Sequence, residues 1–240
     1  MLMKVIENEW IQMPDGRKLA ARIWLPSSEG AAPAIFEYLP YRKRDGTAAR
    51  DETTHRVFAE AGYACVRVDI AGTGDSEGQF DDEYSEQELS DGETVLAWIA
   101  AQQWCDGNVG MIGISWGGFN GLQLAYRRPP ALKAVISIAS TVDRYADDGH
   151  FMGGCLLSAN VDWATQLGAY LARPADRLAP STRSHACRGL GVRPERGLAP
   201  GGTRPRPGAP TAARRICGTP GRCRPGHDGL GPSRSARLPL

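Results

Sequence analysis

The chain has 240 residues, 42% of them hydrophobic, which is enough apolar material for one packed core with an appendage. Its net charge of +1 is a cancellation: residues 1–180 carry sixteen Lys and Arg against twenty-five Asp and Glu, while residues 181–240 carry twelve Arg, no Lys and two acids. No stretch approaches the roughly 18 apolar residues of a membrane span, and Met1 to Trp10, with Glu7 and Glu9, has no apolar leader core, so a soluble, cytoplasmic protein is expected.

Val5 to Met13 and Lys18 to Leu25 alternate apolar and polar residues around Pro14-Asp15-Gly16, whose turn chemistry predicts a hairpin. Pro33 to Leu39 reads as the next strand and runs into the polar loop Pro40-Tyr41-Arg42-Lys43-Arg44-Asp45-Gly46. Thr54 to Ala61 reads as a helix stopped by Gly62, with His55 on its surface, and Tyr63 to Ile70 as an apolar strand. The loop Ala71 to Gly78 follows. Leu89, Val95, Leu96, Trp98 and Ile99 then give three-and-four spacing to a helix from about Ser85 to Gln103.

Asn108 to Ile114 predicts a strand buried on both faces, Phe119 to Tyr126 a helix, and Leu132 to Ala139 one more buried strand. Strands separated by helices after an opening hairpin imply an α/β fold, a mostly parallel sheet covered on both faces. Ending the sheet at Leu132 to Ala139 would leave an apolar edge unpaired. Arg144 to Trp163 is consistent with the start of a helical cap. The predicted organisation is therefore residues 1–143 as sheet domain, 144–175 as the start of the cap, and 176–240 as an Arg/Gly/Pro-rich tail. Residues 181–240 contain eleven Gly, nine Pro and no Phe, Tyr, Trp, Met, Asn or Gln, so no packed core is expected there. A reading-frame shift in GC-rich coding sequence yields runs of this kind, an origin that resequencing the codons for Leu171 to Ser181 tests.

The chemistry centres on Gly113-Ile114-Ser115-Trp116-Gly117, a Gly-x-Ser-x-Gly motif between strand and helix. In a nucleophile elbow the serine is held in a strained backbone conformation, and side chains two residues either side would collide, which the glycines at 113 and 117 prevent. The Trp116 N–H then faces the position where an oxyanion develops in acyl transfer.

Met13-Pro14-Asp15-Gly16, Pro40-Tyr41, Asp69 with Gly72 to Gly78, Gln103 to Gly110 and Gly113 to Gly118 occur in one order. Together they resemble the CocE/NonD hydrolases, the group of bacterial cocaine esterase and Xaa-Pro dipeptidyl-peptidases, over residues 4 to roughly 170. The resemblance implies an α/β-hydrolase fold and cleavage of an ester or peptide (amide) bond in a small molecule through an acyl-enzyme on Ser115. It implies an oxyanion hole built from the Tyr41 hydroxyl and the Trp116 N–H. No cofactor is expected. Asp147-Asp148-Gly149-His150 and Gly153-Gly154 look like the entry to the family's cap. In that family the triad Asp and His follow the cap, and no position here matches them, so an inactive chain is expected. His150, beside Asp147 and Asp148, and His227, beside Asp228, are poor substitutes.

The alternative is a non-catalytic, truncated hydrolase-fold protein, and three further readings of the sequence compete. Gly72-Thr73-Gly74 suggests a dinucleotide loop, but Gly78 comes one residue late and Asp75, Glu77, Asp81, Asp82 and Glu83 would repel a pyrophosphate. The basic tail lacks interleaved aromatics and predicts only salt-sensitive, non-specific anion or nucleic-acid binding. His185, Cys187, Cys217, Cys223 and His227 lack paired Cys-x2-Cys knuckles, so no zinc site is expected. The six cysteines form no compact framework, and Cys65 falls within a strand pattern, so free thiols are expected. Oligomeric state is not readable from the sequence.

Overall fold

The computed structural model describes residues 3–172. Expectations for the tail, the zinc set and His227 therefore lie outside the described residues. Strands β1 (Lys4–Gln12) and β2 (Lys18–Leu25) form the expected hairpin, followed by β3 (Ala32–Leu39), α1 (Ala48–Glu60), β4 (Ala64–Asp69), α2 (Glu86–Ala100), β5 (Cys105–Ile114), α3 (Trp116–Arg127) and β6 (Leu132–Ile138). A two-residue ribbon, β7 (Phe151–Met152) with β8 (Cys155–Leu156), and α4 (Ala159–Leu171) complete the described chain.

The six long strands form one sheet in the order β1-β2-β4-β3-β5-β6. Pairing is antiparallel for β1–β2 and β2–β4, and parallel for β4–β3, β3–β5 and β5–β6. The hairpin closes where Gly16 adopts φ 91° and Asp15 Oδ1 accepts from Arg17 N at 3.0 Å. Arg17 then clamps Asp91 of α2 through two 2.9 Å bonds, tying the hairpin to the helix layer. Among the described residues β6 is paired on one side only, and the expectation of a buried strand there is corrected: none of its residues is buried, and Ile136 and Ile138 are exposed, since apolar side chains on a sheet's last strand are covered only where another element packs on that face. No described helix is long and apolar enough to cross a membrane.

Helix α1 begins six residues before its predicted start, and His55, expected on the surface, is buried with 1% exposure. The cause is an inward face built from Asp51, His55 and Ala59 at i, i+4 and i+8, which carries too little apolar signal to reveal its period. This face lies on a charged core. Arg67, 0% exposed on β4, is 3.4 Å from Asp51 and 3.3 Å from Asp69, and Arg50 reaches Glu37 at 2.6 Å. Paired in this way, buried charges replace water with one another. The described cysteines, Cys65, Cys105 and Cys155, are free thiols.

Candidate active site

Strands β3 and β5 are neighbours and run parallel, so the residues after their carboxyl ends meet. Tyr41 follows β3, and Ser115 follows β5. At Ser115 the backbone has φ 53° and ψ −116°, a strained geometry for a residue with a Cβ. Two backbone bonds fix it: Ser115 N donates to Ile138 O at 2.8 Å, and Ser115 O accepts from Phe119 N at 3.0 Å, opening α3.

The bend brings residues 113 and 117 face to face. A Cβ on Gly113 would lie 2.2 Å from the Gly117 carbonyl carbon, and one on Gly117 would press on the Leu39 side chain at 3.1 Å. Gly113→Ala is therefore expected to destabilise the fold by about 3 kcal/mol, the upper end for overpacking, because backbone cannot step aside as a side chain can. A urea unfolding curve measures this, and an unchanged midpoint would show that the bend is looser than described.

Tyr41 is half-buried, as is Ser115, while Trp116 is buried. Burial raises the pKa of the Tyr41 phenol, and hydrogen bonding with the Ser115 side chain and the Trp116 backbone opposes the rise. The phenol thus keeps its proton at neutral pH and can donate it. The Tyr41 backbone is held from the far side. Tyr170 of α4 donates to the Tyr41 carbonyl at 2.8 Å, and the Trp163 ring packs edge-on against the Tyr41 ring at 6.1 Å.

The structure brings together all three expected site residues, Ser115, Tyr41 and Trp116. No hydrogen bond joins either described histidine to Ser115. His55 is buried on the inward face of α1, its Nδ1 donating to Asp51 O at 3.2 Å and its ring stacked on Trp24 at 4.8 Å, and burial pushes its pKa down to about 4. His150 is bonded through Nδ1 to the Asn160 side chain, and the Asp148 carboxylate beside it is engaged by Arg144 at 2.6 Å.

Glu37, Asp51 and His55 lie close enough to hold a metal ion, yet Arg50 and Arg67 already neutralise both carboxylates, so the cluster is better suited to ion pairing. The glycine loop after β4 cradles an anion of its own. Lys43 N and Asp75 N donate to the Asp69 carboxylate at 2.8 and 3.2 Å, and a Cβ on Gly74 would lie 2.0 Å from it. A pyrophosphate has no place in a loop wrapped around Asp69.

Sequence reasoning missed Glu88, which accepts from Trp116 Nε1 at 2.7 Å and Asn120 Nδ2 at 2.8 Å. Its signal was Ser85-x-x-Glu88, a helix-capping spacing at the start of α2, where Ser85 Oγ accepts from Glu88 N at 3.2 Å.

Residues 15–201 match the family described as X-Pro dipeptidyl-peptidase (S15 family). The chain belongs to the S15 family. Among its relatives, the cocaine esterase of Rhodococcus sp. (strain MB1 Bresler) is 34% identical over 180 residues, covering 72% of this chain and 31% of the esterase. A CocE/NonD family hydrolase from Staphylococcus aureus superposes with a TM-score of 0.61 at 25% identity, over 70% of this chain and 33% of the other. An aminopeptidase from a marine sediment Thaumarchaeota archaeon gives 0.52 at 26% identity, over 62% and 27%. The sheet is that of the CocE/NonD α/β-hydrolases, and this S15 chain spans about a third of the length of these relatives.

Proposed function

We propose that the site is a serine hydrolase centre in which Ser115 Oγ attacks the carbonyl carbon of a small ester or amide. The oxyanion that forms is received by the Tyr41 hydroxyl and the Trp116 N–H. The supporting observation is Ser115 at φ 53° on a strand-to-helix bend, with its side chain and the Trp116 backbone both bonding to one phenol. Similar proteins that include an esterase and an aminopeptidase favour acyl transfer over other uses of such a bend.

Within the described residues Ser115 has no histidine to take its proton, and this sets the expected behaviour of the 240-residue chain. Oxyanion stabilisation without a base still gives about 10³- to 10⁴-fold acceleration over water. An activated ester can therefore acylate Ser115 slowly: the Oγ–C bond forms, nitrophenolate leaves with its electron pair, and the serine proton passes to solvent. Hydrolysis of the acyl-enzyme needs a base as well, and the described residues offer Ser115 none, so the acyl group is expected to stay. An amide fares worse, since its leaving nitrogen must be protonated as it departs.

The test is p-nitrophenyl acetate in excess over protein. The expected record is one equivalent of nitrophenolate per chain followed by a nearly flat line. Sustained turnover would mean that a base has been overlooked, and no release above the buffer rate would remove Ser115 from the proposal.

A further inference from the structure

The strained Ser115 backbone persists only if its surroundings over-determine it. Beyond the two backbone bonds at Ser115, a buried carboxylate outside the reacting groups is bonded to the first turn of α3. Glu88, 5% exposed, occupies the third position of α2. One carboxylate oxygen accepts from Tyr84 N at 2.9 Å. The other accepts from Trp116 Nε1 at 2.7 Å and Asn120 Nδ2 at 2.8 Å. Trp116 and Asn120 stand one turn apart on α3 and are themselves 1% and 0% exposed, so these two bonds fix the rotation of the helix that begins at the elbow. Asn120 Nδ2 also donates to Tyr38 O at 3.2 Å, and Tyr38 donates its hydroxyl to Glu88 O at 3.2 Å, linking α2, α3 and β3.

Resting on the reading of Ser115 as nucleophile, we propose that Glu88 is a positioning residue: its charged carboxylate holds the first turn of α3 so that the Trp116 N–H and the Ser115 hydroxyl converge on Tyr41. Trp116 contributes its backbone N–H to the oxyanion and its indole to the clamp, so any slip at the indole moves the donor.

The groups facing Glu88 do little to neutralise it. Among the described residues it forms no ion pair. Glu83 lies ahead of it, the Tyr84 and Tyr38 phenols flank it, and the Phe80 and Tyr84 rings cover Trp116 at 5.6 and 5.0 Å. One turn on, Asp91 is held by Arg17. Burial pushes the Glu88 carboxyl up to about 7 against the pull of its three N–H donors. Below that pH one oxygen becomes a hydroxyl and can no longer serve every donor, so the clamp opens on acidification. Stability moves the other way. A carboxyl whose folded pKa lies above its ordinary value holds a proton that the unfolded chain has lost, so this group lowers stability as pH rises from about 4.5 to about 7.

The experiment uses the 240-residue protein labelled with ¹⁵N at its indoles, with the Trp116 Nε1–H resonance assigned by its loss in Trp116→Phe. Between pH 5.5 and 8.5 this resonance is expected to titrate with a midpoint near 7 in the wild type and to show no midpoint in Glu88→Gln. In parallel, single-turnover acetylation of Ser115 by p-nitrophenyl acetate, followed by intact mass, is expected to rise through the same midpoint. Glu88→Gln should be about 10- to 100-fold slower and lack the inflection. Trp116→Phe keeps the backbone N–H but removes a donor that favours the charged carboxylate, so its acetylation midpoint should move to higher pH even if Glu88→Gln proves too unstable to assay. An indole that does not titrate, or a Glu88→Gln protein with the wild-type rate and pH profile, overturns the proposal. A titrating indole in a protein that never acetylates at Ser115 overturns the nucleophile assignment instead.

Discussion

Ser115→Ala is expected to eliminate the one-equivalent release of nitrophenolate from the 240-residue protein, leaving only the buffer rate. The expectation follows from where the bend puts the hydroxyl. It stands at the carboxyl end of β5 beside the start of α3, on a backbone whose φ of 53° only a dedicated packing arrangement holds. Where a serine acts with a base, removing it costs about 10⁶ in kcat, and removing base and serine together costs little more. The described residues already lack that base, so the loss here is confined to the slow acylation that oxyanion stabilisation supports. The variant should fold as the parent does, since alanine keeps the Cβ and both backbone bonds at position 115 and gives up only the hydroxyl's contact with the Tyr41 phenol. Equal release by parent and variant would assign the ester cleavage to another nucleophile or to plain base catalysis by solvent.

Tyr41→Phe is expected to slow acylation of Ser115 by about 10²- to 10³-fold, the usual consequence of losing one oxyanion donor. The substitution is well isolated. Phenylalanine keeps the edge-on packing against Trp163, and the bond from Tyr170 goes to the Tyr41 carbonyl, which does not change. A fall in acylation rate with an unaltered thermal midpoint would locate the effect in the transition state rather than in folding. Because burial holds the phenol above its ordinary pKa, the Tyr41 advantage should persist across neutral and mildly alkaline pH. A Tyr41→Phe protein acylating within a factor of about two of the parent would leave Trp116 N–H as the sole donor and remove the phenol from the mechanism.

The readable parts of the sequence were those in which backbone sterics and apolar burial leave little choice. Gly113, Ser115 and Gly117 follow from a bend where a Cβ at 113 would strike residue 117, and the β5 run preceding them is apolar because it lies between β3 and β6 and buries Val109, Met111 and Gly113. Tyr41 became interpretable only through the resemblance, since an aromatic after a proline carries no signal of its own. Polar burial erased what remained. The inward face of α1 is Asp51 and His55 bonded to Arg67, Arg50 and Glu37, so a helix facing the core has the composition of one facing water. Glu88 hid for the same reason: a glutamate three residues after a serine at a helix start is ordinary capping chemistry, and its second task depends on α3 passing close by. The glycine loop misled in the opposite direction, because the carboxylate it closes on, through Asp75 N and with Lys43 N from the loop after β3, is Asp69 of the same chain.

The decisive measurement is peptide mapping by tandem mass spectrometry after the 240-residue protein has been incubated with p-nitrophenyl acetate and the ester removed. One acetyl group per chain, on Ser115 and retained for hours, is expected, because the donors that build the acyl-enzyme are present and the base that would hydrolyse it is absent from the described residues. Acetyl groups scattered over lysines and other serines, with Ser115 unmodified, would contradict the assignment of this bend as an acyl-transfer centre.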